Sequence, residues 1–384
     1  MELVSSSENF FPQGLALGSN FCNRLSERTQ LKNNIASARP TLIMASRRYG
    51  KTSLVLDVAS GMRLPFSHID LYSELNEIEV QNSVLGAIGD ILWSIETKTK
   101  NALTFVTDFF SGLNVSFSYR GTKVQVEVSR SKKPPAKIIL EALKKLDSTL
   151  KERGKKIILF FDEFQRLNQI TESTAIEAVI RQVAQESNSI SFIFSGSNRN
   201  LLSRLFDDRT KPLFKLCDRM ELSRIADKDY IPFIQSKFQK KWKTTGIVEA
   251  IQAILDLTER HPYYVNVLCH KIFSANTTPS ETEVQKIWHQ YAMAEKSNVT
   301  NEIDLLSHNQ SKMLIAIAKY GTEMPLTSKD FVSLTKFSPS SAAQSIKVLE
   351  KRDYIQEVGK RKYNIIDPLI KYIFSENYLN NSVS

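Results

Sequence analysis

Two short stretches carry residues whose types and spacing suit phosphate chemistry. The first is Thr41-Leu-Ile-Met-Ala-Ser-Arg-Arg-Tyr-Gly-Lys-Thr-Ser-Leu54. It opens as a short apolar run, passes through a loop from Ala45 to Gly50, and continues through Lys51, Thr52 and Ser53 into the apolar-periodic Leu54, Val55 and Val58. Strand, loop, Gly-Lys-Thr and helix is the order that a phosphate-binding loop requires. In such a loop the backbone N–H groups and the helix N-terminus behind them point at phosphate oxygens. The nucleotide-binding set read here is Ala45, Ser46, Arg47, Arg48, Tyr49, Gly50, Lys51, Thr52 and Ser53. Lys51 adds a point charge on the phosphates, and the Thr52 hydroxyl is a ligand for Mg²⁺. The pattern wants Gly at the loop's first position and the chain has Ala45, so weaker phosphate packing is expected and not a lost site.

The second stretch is Lys155-Lys-Ile-Ile-Leu-Phe-Phe-Asp-Glu-Phe164. A continuous apolar run ending in two acids reads as a buried parallel strand with carboxylates at its C-terminal end. Ligands of open α/β sheets bind at that end. Asp162 is placed to hold Mg²⁺, directly or through water, and Glu163 to polarise an attacking water. A third apolar strand, Ser191-Phe-Ile-Phe-Ser195, ends in Gly196-Ser-Asn-Arg199. Ser197 and Asn198 are candidates to touch the γ-phosphate or the water, a simple turn with an Asn cap being the other reading.

Several elements must position these residues. A turn and helix at 21–35 precede the loop, after an irregular lead-in over residues 1–20. A strand candidate at 68–72, a mostly helical stretch at 77–110 and an amphipathic helix at 138–150 separate the loop from the acidic strand. Residues 115–128 alternate on either side of Gly121, a hairpin signal, and read as an insertion near 112–129. Helices at 230–242 and 246–257, and a helix start at Glu259-Arg-His-Pro-Tyr-Tyr264 with Pro262 in its first turn, form a smaller element.

The C-terminal pattern differs. A helix at 312–320 ends at Gly321, Thr327 precedes a second helix, and Ser338 with Pro339 starts a third that runs through Ile346 and Leu349. Two short strands follow around Gly359, with Lys360, Arg361 and Lys362 at the tip. Three helices and a hairpin is the winged helix-turn-helix order, with the third helix as recognition helix and the hairpin as wing. Duplex DNA and a protein are alternative partners for it.

Composition is that of an ordinary globular chain. The 384 residues are 42% apolar and 24% charged, with a formal net charge of +10. Such a length implies two or three domains. The positive balance suits an anionic partner such as a nucleotide or nucleic acid. Cys22, Cys217 and Cys269 have neither metal-ligand nor disulfide spacing, which fits a reducing, cytoplasmic setting. The start of the chain reads as no signal peptide, and no apolar run approaches the roughly 18 residues of a membrane span.

Together these residues resemble the archaeal-type ATPases of the AAA+/STAND division, related to the origin-recognition ATPases. Phe21-x-Asn23-Arg24-x-x-Glu27 resembles that group's Phe-x-Gly-Arg-x-x-Glu box, and Arg47 through Leu54 its phosphate loop. Ile69 to Tyr72 resembles its second strand, Phe161 to Gln165 its acidic strand end, and Phe194 to Ser197 with Arg199 its sensor strand. His261-Pro-Tyr-Tyr264 resembles the lid motif that replaces a sensor arginine, and Asp367-Pro368 after the wing is also similar. The chain departs from the group at Asn23, at Ala45 and at Glu259-Arg260, where Gly is common before His-Pro.

The resemblance implies an α/β P-loop NTPase fold: a parallel sheet flanked by helices over 1–222, a small helical lid over 223–298 and a winged helix over 301–376. It implies ATP with Mg²⁺ as ligands, the nucleotide lying between sheet and lid with Pro262 as one contact. Glu163, Lys51, Ser197 and Asn198 would be catalytic and Thr52 with Asp162 would hold the metal. Arg204, Arg209 and Arg219 are candidates for an arginine acting on a neighbouring subunit of a homo-oligomer. Two activities fit: an ATP-hydrolysing nucleotide-driven switch on DNA or a protein partner, or a slow-turnover, nucleotide-dependent DNA-binding regulator or adaptor.

Overall fold

The computed structural model describes residues 10–96, 99–113, 115–120, 123–128, 133–171, 173–243, 247–275, 278–320, 325–326, 328–359 and 362–375. Gly121, Gly246, Gly321, Thr327, Lys360 and Arg361, which carry some of the expectations above, lie outside the described residues. The chain divides into two compact units, one of Arg24–Ser223 and one joining Met1–Asn23 to Arg224–Ser384.

The first unit runs α1 (Leu25–Ala36), β1 (Thr41–Met44), α2 (Lys51–Met62), β2 (Phe66–Asp70), α3 (Glu77–Ile95), α4 (Thr99–Ser111), β3 (Val115–Arg120), β4 (Lys123–Val128), α5 (Pro135–Glu152), β5 (Ile157–Asp162), α6 (Ser173–Glu186), β6 (Ile190–Gly196), α7 (Arg199–Phe206) and β7 (Asp218–Glu221). Five strands form one parallel sheet in the order β2-β5-β6-β1-β7. Every residue of β1, β5 and β6 is buried, which is why these strands read as unbroken apolar runs. Side chains alternate across a sheet. Ile157, Leu159 and Phe161 of β5 therefore join the cluster built with α3, α5 and α6, and Asp162 turns to the opposite face. That cluster is densely aromatic at the sheet's C-terminal end: Phe161, Phe164, Phe194 and Phe206 stack with ring centroids 4.7–5.9 Å apart.

Strand β7 had no signal in the sequence. It is an edge strand of four mostly polar residues with only Met220 buried, so no apolar run announces it. Strand β2 begins at Phe66 and ends at Asp70, two residues earlier at each end than the sequence suggested. The hairpin β3–β4 pairs in antiparallel register from Val115↔Val128 to Arg120↔Lys123, as its alternation predicted.

The second unit runs α8 (Asp227–Trp242), α9 (Val248–Leu257), α10 (Pro262–Ser274), α11 (Glu281–Asp304), α12 (His308–Tyr320), α13 (Lys329–Thr335), α14 (Pro339–Lys351), β8 (Ile355–Gly359), β9 (Lys362–Ile365) and α15 (Pro368–Phe374). The lead-in is irregular as expected, yet Phe11 is buried in this unit against Phe233, Phe238 and Phe273. One continuous helix, α11, crosses both the expected end of the lid at 298 and the start of the winged helix at 301. Val284, Ile287, Trp288, Ala292, Val299 and Ile303 give it a single buried stripe without Gly or Pro. Helix α13 is capped by Ser328, whose hydroxyl accepts from the Phe331 N–H, and α14 by Ser338 in the same way through Ser341. No helix among the described residues is long and apolar enough to cross a membrane.

The aromatic stack sets a stability test. Phe194→Ala opens a cavity among four rings and should cost about 3–5 kcal/mol. Urea unfolding followed by circular dichroism measures it, and a loss below about 1 kcal/mol would show that the stack does not carry this end of the sheet.

Candidate nucleotide-binding site

The parallel register lines up the C-terminal ends of β1, β5 and β6. Met44 pairs with Gly196, Phe161 with Phe194, and Asp70 with Asp162. The phosphate loop, the acidic pair and the Gly196-Ser197 turn therefore leave the sheet side by side.

The loop itself is shaped by one left-handed residue on each side of Tyr49. Arg48 has φ 62° and Gly50 φ 83°, and Gly50 is the residue before the first turn of α2. Glycine takes that conformation without steric cost. From behind, Arg24 clamps the loop: it is 5% exposed, and its guanidinium donates to the Tyr49 carbonyl at 3.1 Å and the Ser223 carbonyl at 2.9 Å, and pairs with Glu27. An Arg28–Asp57 ion pair of 2.9 Å fixes α1 against α2. Lys51 is 7% exposed and folds back over the loop, donating to the carbonyls of Ala45 at 3.1 Å and Ser46 at 3.2 Å. Arg47 and Arg48 are exposed, and the Ser46 hydroxyl is buried with no hydrogen-bond partner among the described residues. A ring of loop N–H groups, a lysine ammonium and an orphaned hydroxyl fit a phosphate chain.

Opposite the loop, Asp162 gathers donors from four elements. Thr52 Oγ1 donates to its Oδ2 at 2.6 Å, His68 Nε2 lies 3.4 Å from the same oxygen, and Oδ1 accepts from the Ser195 hydroxyl and from the Glu163 N–H at 3.0 Å. Burial alone would raise this carboxyl. The hydrogen bonds from His68, Ser195 and Thr52, with the charge of His68, outweigh burial and hold it down at about 2. A threonine hydroxyl and an ionised carboxylate in contact are hard oxygen donors that fit Mg²⁺, which takes few protein ligands and keeps waters.

Glu163 follows in a left-handed conformation, φ 50° and ψ 37°, leading into a short 3-10 turn. Its Oε2 accepts from the Ser197 hydroxyl at 2.9 Å and from the Gln165 amide. The structure thus brings Lys51, Thr52 and Asp162 into one set and Glu163 and Ser197 into an adjoining one. Asn198 does something else: its side-chain oxygen accepts from the Leu201 N–H at 2.9 Å and caps α7. Pro262 belongs to the second unit, where it is the first residue of α10. Arg219 pairs with Asp207 within the chain, while Arg204 and Arg209 are exposed.

Four contributors escaped the sequence reading: His68, Ser195, Gln165 and the clamping role of Arg24. His68 and Ser195 lie on the same face as Asp162 on neighbouring strands, and only the strand order reveals that. Two of the departures noted above acquire a backbone reason. Asn23 has φ 42°, Glu259 φ 47° and Arg260 φ 61°, the region glycine adopts most readily. Side chains there carry partners instead. Asn23 donates to Asp229, Glu259 accepts from Arg224 and Lys371, and Arg260 pairs with Asp227.

Residues 297–376 match the family described as a probable winged helix domain. No curated protein sequence matches the chain. Among solved structures it is similar to the Walker-type ATPase Paby2304 of Pyrococcus abyssi, with a TM-score of 0.69 and 18% identity over 95% of this chain and 99% of that one. It is also similar to the Aeropyrum pernix ORC2 protein in its ADPNP-ADP complexes, with a TM-score of 0.57 and 13% identity over 98% of each chain. At these identities the likeness is one of fold.

The Asp162 geometry predicts a pH dependence. The carboxyl is lowered from its ordinary 3.8 to about 2, so its ionised form stabilises the folded chain at neutral pH. That contribution, roughly 2 kcal/mol, is present above about pH 4 and is lost as the pH falls through about 2. Urea titrations of the wild type and Asp162→Asn across this window should show a steeper loss in the wild type, and parallel curves would contradict it.

Proposed function

We propose, on a fold shared with archaeal Walker-type and origin-recognition ATPases, that this chain binds ATP with Mg²⁺ and hydrolyses its terminal phosphate. The reading is carried by one observation: Lys51, Thr52 and Asp162 converge beside Glu163 at the C-terminal edge of the sheet. Mg²⁺, when bound, neutralises phosphate charge. The chain's own residues do the rest. Lys51 exchanges two carbonyl partners for phosphate oxygens, a stronger charge-assisted contact. Loop N–H groups from Ser46 to Thr52 orient the phosphates, and Arg47 and Arg48 add positive potential. Thr52 and Asp162 hold the metal. Glu163 takes the proton of the attacking water, and Ser197 keeps that carboxylate in place. In this reading Pro262 contacts the nucleotide from the lid, Asn198 acts only through the start of α7, and Arg204 or Arg209 is the arginine offered to a neighbouring subunit. The chain works as a nucleotide-driven switch in the cytoplasm.

A second reading, a slow-turnover DNA-binding regulator, is favoured by the outer face of α14. Ser340, Gln344 and Lys347 are exposed there, opposite the buried Ala342, Ser345, Ile346 and Leu349. A recognition helix needs such a polar face toward base edges. Duplex DNA is the proposed partner, read by α14 and contacted along its backbone by the wing. Steady-state ATPase with and without DNA separates the two readings.

Calorimetry and turnover test the site. Lys51→Ala should lose tight ATP binding with its circular dichroism unchanged, and unchanged affinity in the folded variant would sink the phosphate-loop reading. Glu163→Gln should still bind ATP and turn over about 10²–10⁴ more slowly. A wild-type rate would assign the base elsewhere.

DNA binding should be weak and steeply salt-dependent. Each base lost from Lys360, Arg361 and Lys362 should lower the slope of log K against log salt by about 0.9, with similar losses on all sequences. Fluorescence anisotropy of the ATP-bound full chain showing no duplex binding at low salt would leave a protein as the partner.

A further inference from the structure

We propose that Gln165 is the positioning residue that aims the Glu163 carboxylate, and that position 196 is glycine to make room for it. The proposal rests on the reading of Glu163 as the base.

The left-handed backbone at Glu163 turns the chain so sharply that Gln165, two residues on, comes back alongside it. The Gln165 amide donates to Glu163 Oε2 and reaches Ser197 Oγ at 3.4 Å, while Ser197 donates to the same Oε2 at 2.9 Å. The three side chains form a closed triangle. Chemistry fixes which way the amide faces. A carboxylate only accepts, so the NH₂ end must point at Glu163 and the oxygen must point away.

That oxygen, Gln165 Oε1, is buried with no hydrogen-bond partner among the described residues. It fills the space beside Gly196: a Cβ there would sit 1.9 Å from Oε1 and 3.1 Å from Leu202 Cδ1. Gly196 is the last residue of the extended β6, so its need for glycine is steric and not a matter of backbone conformation. The frame around the amide is rigid. Phe164 is locked into the aromatic stack, and Asn168 donates to the Gln165 carbonyl at 3.2 Å and to the Leu201 carbonyl at 3.0 Å. Leaving a buried acceptor unpaired is unfavourable for folding. What the arrangement achieves is a carboxylate with one oxygen fixed by two donors and the other, Oε1, left to receive a proton. Small misplacements of a catalytic group are costly in rate.

The test is a set of turnover measurements and one structure. Gln165→Ala should lower kcat about 10-fold to 10²-fold with KM for ATP unchanged. Gly196→Ala should do the same by displacing the amide, and Gln165→Ala/Gly196→Ala should be no slower than Gln165→Ala alone. In a Glu163→Gln background, Gln165→Ala should have no further effect. An unchanged kcat in Gln165→Ala, or the same fold-loss in the Glu163→Gln background, would overturn the proposal. If Gly196→Ala fails to fold, the Gln165→Ala pair of measurements still decides. A crystal structure of unliganded Gln165→Ala reads the position directly: the Glu163 carboxylate should leave Ser197, and an unmoved carboxylate would overturn the proposal. A wild-type chain without ATP turnover would remove the ATPase reading, and that structure would still decide whether Gln165 holds Glu163.

Discussion

The buried carboxylate of Asp162 is the point on which the first unit turns. Burying a charge is unfavourable unless it is surrounded by donors. Here the donors come from β2, α2, β6 and the backbone of the next residue. The same contacts that make the charge tolerable tie the phosphate-loop helix to three strands of the sheet. His68 is stacked on Phe160 at 4.8 Å, which fixes the ring that faces Asp162. The site is therefore assembled by the need to satisfy one carboxylate, and its parts are held in register before any nucleotide arrives. Pre-organised groups lose less freedom on binding and orient substrate more tightly.

Behind this polar cluster lies an apolar one. The Phe161, Phe164, Phe194 and Phe206 rings sit on the other face of the same strand ends. Phe161 and Asp162 are neighbours in sequence but point to opposite faces, as do Phe194 and Ser195. Strand alternation thus couples each functional side chain to a packing anchor one residue away. The chain then leaves β5 through a left-handed glutamate and β6 through a sterically required glycine, so both exits from the sheet are constrained.

In the second unit, polar links connect the residues expected to form lid and winged helix. Arg224 donates to Glu259 and to the Ile366 carbonyl, Lys371 pairs with Glu259, and Tyr264 donates to Asp367 at 2.7 Å. With α11 continuous through the expected boundary, these contacts make one body of what the sequence divides in two. Glu259 is central to them, and it stands in a left-handed conformation that glycine would fill more easily. A side chain at that position makes possible the bridges to Arg224 and Lys371, which glycine could not form.

The sequence by itself determined the elements with strong local signals. The Gly-Lys-Thr loop, the apolar strands ending in Asp162 and Gly196, the alternating hairpin and the Ser338-Pro339 helix start all lie where periodicity, capping and turn chemistry put them, because each signal is carried by residues close in sequence. The pairing of Thr52 with Asp162 was also legible, since a motif fixes which strand end meets the loop. Only the tertiary structure decided the rest. His68 and Ser195 became partners of Asp162 through strand order, which no local pattern encodes. Asn198 became a cap because α7 begins one residue later, and Phe11 joined a core more than 200 residues away in the chain. Gln165 found Glu163 through a left-handed turn, and Gly196 revealed its purpose only when the amide beside it was seen. Long-range packing chooses among conformations that short-range propensity leaves open, and here it chose the neighbours of the two acids.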